Sequence, residues 1–397
     1  MATATGVAIQ WAVQALRLPS RPGGMRALRR NDMERAVATT ATTATIAPRT
    51  ATTATTATDR GGYRYARQSP HLARPVQRWL HHEASVWQES NCYMDLWIEL
   101  LYGWGLDPRA ALAFTVAQDY EGDHFTFFKY PPADLELLYG TVVQEMAVYD
   151  TLQAHLAEQV GRGHTVLVEV DSYYLPDTRA TAYRQAHVKT TVAIDRIDPA
   201  AQRLSYYHSL GYHSAEDEDY RGLLRLTPAL RDGNILFPYA ECAKRVRAPL
   251  RDAAAADAAA ALMRHHLGRR PALNPVTRWR ADFDQHVAVI LARGDAYFHH
   301  YGFNLPRQLG ANFEMLHHCL AWFGEHGYHV PARVARAAIS LASECKVLQF
   351  RLARAMARGR PDRCAGSLDT MECAYETVIA GLLSSFGAAD PAQPAYA

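Results

Sequence analysis

The chain has 397 residues, of which 49% are hydrophobic and 21% charged, so it is long enough to bury a full core and to form two domains. Its formal net charge of +2 gives no reason to expect nucleic-acid binding. The 6 cysteines include no Cys-x-x-Cys pair, which argues against a disulfide scaffold or a zinc ribbon and fits a reducing cytoplasm. No apolar run reaches the roughly 18 residues that a membrane helix needs.

Residues 1–65 differ in composition from the rest of the chain. Thr/Ala tracts at 39–45 and 50–58 have no periodic apolar face and cannot offset the entropy cost of ordering. We therefore predict a disordered, low-complexity N-terminal extension. A misassigned start, with Met25 or Met33 as the first residue, is an alternative.

Cys92 stands where a loop gives way to a helical, apolar sequence. Leucine and isoleucine supply the apolar positions of residues 92–102, and Gly103 is a stop signal. Ser90 or Asn91 is an acceptable N-cap. The positive end of a helix dipole stabilises a thiolate, as does a nearby imidazolium. Cys92 is therefore a candidate nucleophile, although a free cysteine taken alone is more often a buried structural residue.

An α/β pattern follows the cysteine helix. Aromatic alternation over residues 119–130 predicts a strand, whereas residues 134–139 and 142–159 are typical of helices. Three further strands are predicted over residues 165–174, 187–194 and 203–209. A helix-borne cysteine followed by an antiparallel sheet is the chain order of papain-like folds. We therefore predict an α+β protein with a papain-like cysteine-histidine domain over residues 66–250.

His187 begins a β-branched strand downstream of Cys92. Cysteine-histidine enzymes place the nucleophile at a helix start and the base on a later strand, and a third residue orients the imidazole. The usual place for that third residue, around His208, offers neither Asn nor Asp. We therefore predict Asp171 as the orienting residue, with His208 as the second choice.

Acyl transfer also needs a hydrogen-bond donor for the oxyanion. A backbone amide near Cys92, with the side chain of Gln88 or Asn91, is the candidate donor. Gln88 and Asn91 fit equally well as capping residues, so the sequence leaves both roles open.

The remaining third of the chain, residues 251–390, is predicted to be a helical domain. Its helices are expected over about 252–266, 278–292, 305–323, 331–357 and 367–386. Arg307, Arg351 and Arg354 lie on these helices. They form either a solvated face or the entrance to the thiol site, where cations meet an anionic group.

A metal site is the rival interpretation. Glu121 and His124 repeat the carboxylate-histidine spacing of di-iron helical bundles, as do Glu314 and His317. Gly122 interrupts the first pair and an aromatic strand is predicted after it, so that pair is not expected to be helical. We therefore predict no metal.

Long strings of the sequence resemble a bacterial family described as domain of unknown function 1839. The strings lie at residues 87–99, 121–129, 169–178, 187–191 and 346–354. The resemblance covers about residues 72–385. That family is in turn similar, more distantly, to the N-terminal part of butirosin-type acyltransferases, which take an aminoacyl group from a carrier protein's phosphopantetheine thioester.

The resemblance implies an enzyme that moves an aminoacyl or peptidyl group from a carrier protein to an amine acceptor in bacterial specialised metabolism. Cys92, His187 and Asp171 are the residues to which the catalytic roles carry over. No bound cofactor is expected, because the carrier protein itself presents the phosphopantetheine. If Arg307, Arg351 and Arg354 line the entrance, they meet its phosphate or the acidic surface of the carrier protein. The alternatives are a cysteine peptidase or amidase with the same dyad, and a non-catalytic module that binds carrier proteins. The acyl group, the acceptor and the oligomeric state are left open by the sequence.

Overall fold

The computed structural model describes residues 84–227 and 237–387, together with Leu80. The disordered extension predicted for residues 1–65 lies outside them. The fold is α+β, with a six-stranded antiparallel sheet and a helical C-terminal region. By their contacts the described residues belong to one compact unit.

The elements are numbered in chain order among the described residues. The α-helices are α1 (Cys92–Gly103), α2 (Pro132–Tyr139), α3 (Leu152–Gly161), α4 (Asp217–Leu223), α5 (Asp252–Gly268), α6 (Pro275–Arg293), α7 (Asp295–Asn304), α8 (Pro306–Glu325), α9 (Ala332–Arg358) and α10 (Ala365–Phe386). The strands are β1 (Thr141–Glu145), β2 (Thr165–Asp171), β3 (Lys189–Asp198), β4 (Arg203–His208), β5 (Gly211–Glu216) and β6 (Ala240–Arg245). The 3-10 helices are Pro108–Ala117, Ser172–Tyr174 and Pro176–Thr178.

The sheet has the strand order β1-β6-β2-β3-β4-β5, and all neighbouring strands are antiparallel. The register of the central strands β2 and β3 sets Thr191 opposite Glu169 and Lys189 opposite Asp171. Successive side chains of a strand point to opposite faces, so Glu169 and Asp171 share a face with Leu167. Their cross-strand partners Thr191 and Lys189 lie on that same face.

The two faces of the sheet belong to two different cores. Leu167, Ala193 and Tyr207 belong to the main core, which also contains α1. Val168 and Ile194 point the other way and pack in a second core with residues of α3. The face that carries Thr191 and Asp171 is therefore the α1 face, the side on which Cys92 lies.

Helix α1 is rigidly placed because it is apolar around most of its circumference. Leu96, Ile98, Leu100 and Leu101 are completely buried, and α1 packs on β3 and β4. Each side chain of this size contributes roughly 1.5–3 kcal/mol when fully buried. The start of α1 is consequently a fixed point against the sheet.

The helical C-terminal region shares the main core with α1. Helices α8, α9 and α10 pack on one another, and α8 also packs on the 3-10 helix Pro108–Ala117. The predicted helices agree with α5, α6, α8, α9 and α10 to within three residues at each end, whereas α7 was not predicted. Among the helices that the structure describes, we find none with both the length and the apolar character needed to cross a membrane.

Two predictions over residues 119–159 are wrong. Residues 119–130 form a loop with one isolated bridge, between Tyr120 and Phe125, because the chain turns at Gly122 with a φ of 101°. Residues 142–159 contain β1 and α3 instead of one helix. Strand β1 forms because it pairs with β6, a partner far along the chain that local periodicity does not reveal. Strands β2, β3 and β4 confirm the other three predicted strands, and β3 begins at Lys189.

Candidate functional site

Cys92 is the first residue of α1, and Asn91 is its N-cap. The Asn91 side-chain oxygen accepts a hydrogen bond from the N–H of Met94 at 2.9 Å. The Asn91 amide nitrogen donates to the carbonyl oxygen of Phe128 at 3.1 Å. Asn91 is 3% exposed. Both ends of its side chain are therefore engaged in structure, which supports the capping role.

The Cys92 thiol is partly exposed, and its sulfur lies 4.0 Å from the hydroxyl oxygen of Thr191 on β3. Four other thiols are buried, and burial raises their pKa, namely those of Cys242, Cys319, Cys345 and Cys364. Cys373 on α10 is exposed. Among these six thiols, Cys92 alone combines access to solvent with a place at the start of a helix.

His187 and Asp171 form the pair that the sequence predicts. The imidazole Nδ1 lies 2.5 Å from a carboxylate oxygen of Asp171. The imidazole also stacks on Tyr173, with ring centroids 4.5 Å apart and planes at 13°. The N–H of Ser172 donates to the carbonyl oxygen of Val188 at 2.9 Å, which extends the β2-β3 pairing to this point. The pair is thus held in place although the His187 side chain is 69% exposed and that of Asp171 34% exposed.

Cys92 and His187 lie on the same side of the sheet without touching. Within the described residues the hydrogen-bond partner of the Cys92 thiol is Thr191, and that of His187 is Asp171. Thr191 and His187 are four positions apart on an extended segment, which corresponds to about 13 Å between their Cα atoms. Cys92, His187 and Asp171 therefore lie along one sheet face, and the cysteine and the histidine are not in contact.

Charged side chains that the sequence pattern does not single out lie along the same sheet face. Lys189 donates to Glu169 at 2.5 Å, directly beside Thr191 in the register. Tyr93, the neighbour of Cys92, donates from its hydroxyl to Glu241 at 2.6 Å. The sequence could have revealed Glu169 and Lys189, because each lies two positions from a predicted site residue and so shares its side of the strand. Glu241 comes from β6, for which the sequence pattern has no strand signal.

His208 does not orient His187. It lies on the opposite face of the sheet, where its Nε2 is 2.8 Å from the hydroxyl oxygen of Thr190 and its Nδ1 is 2.6 Å from Asp177. Asp177 also accepts from Tyr206 at 2.6 Å. Burial acts to raise the pKa of Asp177, but the hydrogen bonds from His208 and Tyr206 hold it below its usual range. This cluster is structural support beneath β3 and β4.

Gln88, the other candidate oxyanion donor, is exposed. It belongs to the segment of residues 86–90, which we call the entry segment because it leads into α1. Glu314 on α8 accepts from the N–H groups of Val86 and Trp87, both at 2.7 Å. The indole N–H of Trp87 donates to the carbonyl oxygen of Ala342 on α9 at 3.0 Å. The helical region therefore fixes the backbone on which Gln88 and Cys92 are carried.

Comparison with known protein families shows to which family this chain belongs. The DUF1839 N-terminal domain matches residues 76–245, and the DUF1839 C-terminal domain matches residues 252–384. The chain belongs to the DUF1839 family. A search of curated proteins found no match.

The arginines predicted to contact a carrier protein differ from one another in this DUF1839 protein. Arg307 has a side chain that is 14% exposed and donates to the entry segment, so it is not a docking residue. Arg351 forms an ion pair with Asp362, and its Nη2 lies 2.7 Å from a carboxylate oxygen. Arg354 is exposed. Of the three, Arg354 alone is placed as the prediction requires.

The rival metal interpretation gains no support from the described geometry. Glu314 is occupied by the entry segment, and His317 points its Nδ1 at the carbonyl oxygen of Ala335, 2.9 Å away. Glu121 lies in a loop. Across residues 84–227 and 237–387, no three His, Cys, Asp or Glu side chains converge on a point where a metal ion would sit.

Proposed function

We propose that this DUF1839 protein is a cysteine-dependent acyltransferase with a papain-like catalytic half, which moves an aminoacyl or peptidyl group from a carrier-protein thioester to an amine. The supporting observation is the placement of a partly exposed thiol, Cys92, at the start of α1 on the sheet face that carries the hydrogen-bonded pair His187 and Asp171. The carrier protein as donor comes from the resemblance to butirosin-type acyltransferases.

The reaction has two steps. In the first, the Cys92 thiolate attacks the thioester carbonyl, the bond from the carbonyl carbon to the pantetheine sulfur breaks, and that sulfur leaves with a proton from His187. In the second, an amine attacks the acyl-Cys92 thioester, His187 takes a proton from the amine, and Cys92 is released as the amide forms. Asp171 stabilises the protonated imidazole. The first N–H groups of α1 have no intrahelical acceptor. That of Met94 donates to Asn91, and those of Cys92 and Tyr93 are suited to hold the oxyanion.

A thioester fits this site better than an amide does. Amide cleavage needs a histidine in place to protonate a poor leaving group, whereas a thiol leaves readily. The Cys92 thiol makes its hydrogen bond to Thr191 and not to His187, so the imidazole that would protonate the leaving group does not lie beside the sulfur. This spacing favours transferase over peptidase. His187 must approach Cys92 when substrate binds, which its 69% exposed side chain permits.

Intact-protein mass spectrometry tests the proposal. The protein is mixed with carrier protein charged with an aminoacyl thioester, and the mass of the aminoacyl group is expected on the enzyme. Replacing Cys92 with Ser should abolish this adduct, whereas Cys373→Ser, which removes the other accessible thiol, should retain it.

Two results would contradict the proposal. Efficient hydrolysis of peptide amides, without reaction on aminoacyl-phosphopantetheine, would favour the peptidase. Carrier-protein binding that survives Cys92→Ser, with no acyl transfer by the parent protein, would favour the non-catalytic binding module.

A further inference from the structure

A cavity of about 610 Å³ lies between the end of α9 and the start of α10. Five of the side chains that line it are arginines, and one is a carboxylate: Arg351, Arg354, Arg358, Arg360, Arg363 and Asp362. Pockets for small ligands commonly have volumes of about 300–1,000 Å³. The size suits a small molecule, and the lining suits one with negative charge.

The single carboxylate is already neutralised. Asp362 accepts from the Arg351 guanidinium at 2.7 and 3.1 Å, and also from the N–H of Cys364 at 2.9 Å. The hydrogen bond from Arg351 lowers the pKa of Asp362, so the pair is ionised. Asp362 thus fixes Arg351 and the start of α10, and Arg363 pairs with Asp284 at 3.3 Å.

Three of those arginines have no carboxylate partner in the part of the chain that the structure describes, namely Arg354, Arg358 and Arg360. All three are exposed. Arg354 and Arg358 are four positions apart on one helix, where like charges repel each other. These three arginines therefore place a concentration of positive charge at the cavity without a carboxylate partner among the described residues.

The helix dipole of α9 does not by itself account for these three arginines. A cation in the last turn interacts favourably with the helix dipole, which explains Arg358. Arg354 lies a turn earlier, and Arg360 lies beyond the helix end at Gly359. The effect falls off outside the last turn, so it does not account for Arg354 or Arg360.

We propose that this cavity is a binding site for a phosphate group, held by Arg354, Arg358 and Arg360. Guanidinium groups bind phosphate oxygens through paired, charge-assisted hydrogen bonds, and a planar fork of donors matches that geometry. The phosphate belongs either to a free phosphorylated small molecule or to the phosphopantetheine arm of the donor. Arg354 lies about 12 Å along α9 from Lys346, and Lys346 lies over the Trp87 ring of the entry segment. This site does not depend on the chemistry of Cys92.

Isothermal titration in phosphate-free buffer, with pyrophosphate, 4′-phosphopantetheine and pantetheine, tests the site. Pantetheine and 4′-phosphopantetheine differ only in the phosphate, so we expect the second to bind and the first not to. The double variant Arg354→Gln with Arg358→Gln should weaken phosphate binding at least about 10-fold. The matched control is Arg333→Gln with Arg336→Gln, which removes the same charge from the exposed far end of α9. That control should bind like the parent.

The relative affinities identify the source of the phosphate. Tighter binding of 4′-phosphopantetheine than of pyrophosphate indicates the donor arm, and the reverse order indicates a free phosphorylated molecule. Either order supports the site. Absence of binding by the parent protein, or an equal loss in the control variant, overturns it. If the double variant fails to fold, Arg360→Gln, outside both helices, provides the same test. Cys92→Ser should keep full phosphate binding, so failure of the acyltransferase proposal would be separately visible.

Discussion

Arg307 on α8 donates from its Nε to the carbonyl oxygen of Ser90 at 2.9 Å, two residues before the candidate nucleophile. Its Nη2 donates to the carbonyl oxygen of Glu89 at 2.7 Å. Burial lowers the pKa of Arg307, while Asp95 and Glu89 favour its charged form. The C-terminal region therefore contacts the segment before Cys92 through the largely buried Arg307 as well as through Glu314.

Replacing Arg307 with Met is expected to destabilise the protein by about 2–4 kcal/mol, since two hydrogen bonds from a charged donor are lost. The rate of Cys92 acylation by a small aminoacyl thioester should fall as well, because the entry segment is no longer fixed. Arg333→Met is the control, since it removes an exposed arginine from the helical region and should change neither quantity. Unchanged acylation in Arg307→Met, with the same stability loss, would restrict Arg307 to a purely structural role.

Asp171→Asn should reduce acyl transfer on the order of 10²-fold, the lower range for a disabled general acid-base group, with little change in stability. The control is Asp177→Asn, which removes the carboxylate from the buried His208 on the other sheet face. That variant should lose about 1–3 kcal/mol of stability and keep its rate per folded molecule. Rate measurements paired with urea unfolding separate the two effects. A rate loss in Asp177→Asn that equals that in Asp171→Asn would contradict the assignment of the pair.

The sequence was sufficient to predict the start of α1 and the pairing of Asp171 with His187. Both depend on local signals, since a cap precedes an apolar helix and the end of one strand meets the start of its antiparallel neighbour. The position of His208 was harder to infer. Tyr206, Tyr207 and His208 are all buried, so alternation of polarity does not reveal which face each occupies. Tyr207 faces α1, and His208 therefore points away from the thiol.

The role of Arg307 is invisible in the sequence for a different reason. Its partners Ser90 and Glu89 are more than 200 residues away, and only the packing of α8 against the entry segment brings them together. The contact of Tyr93 with Glu241 has the same origin, because β6 is recognisable only through its pairing with β1 and β2.

Lys346 should make stability depend on pH in the alkaline range. Burial lowers its pKa from 10.5 to about 8. Between about pH 8 and pH 10.5 the unfolded chain therefore binds more protons than the folded chain, and stability rises with pH in that window. Replacing Lys346 with Met should remove this rise, which is at most about 3 kcal/mol. Denaturant unfolding of parent and variant at pH 7.5, 9 and 10 measures it, with the exposed Lys129→Met as the control. The same rise in Lys346→Met as in the parent would show that Lys346 is not its source.

Alkylation is the most direct measure of the nucleophile. At pH 7 iodoacetamide should modify Cys92 faster than Cys373 by roughly 2- to 30-fold, the ratio that 0.5–2 kcal/mol of thiolate stabilisation at a helix start produces. Cys373 is the internal control because it is the more exposed thiol and lies within α10, away from its N-terminus. The four buried thiols should stay unmodified during a brief treatment. Peptide mapping by mass spectrometry reports all six in one sample.

The variant His187→Ala separates the contribution of the imidazole from that of the helix start. A lower rate of Cys92 alkylation in that variant would show that the imidazole reaches the sulfur in solution. An unchanged rate would leave the helix start as the sole activator. If Cys373 reacts first and Cys92 remains protected, Cys92 is not the nucleophile and the acyltransferase proposal fails with it.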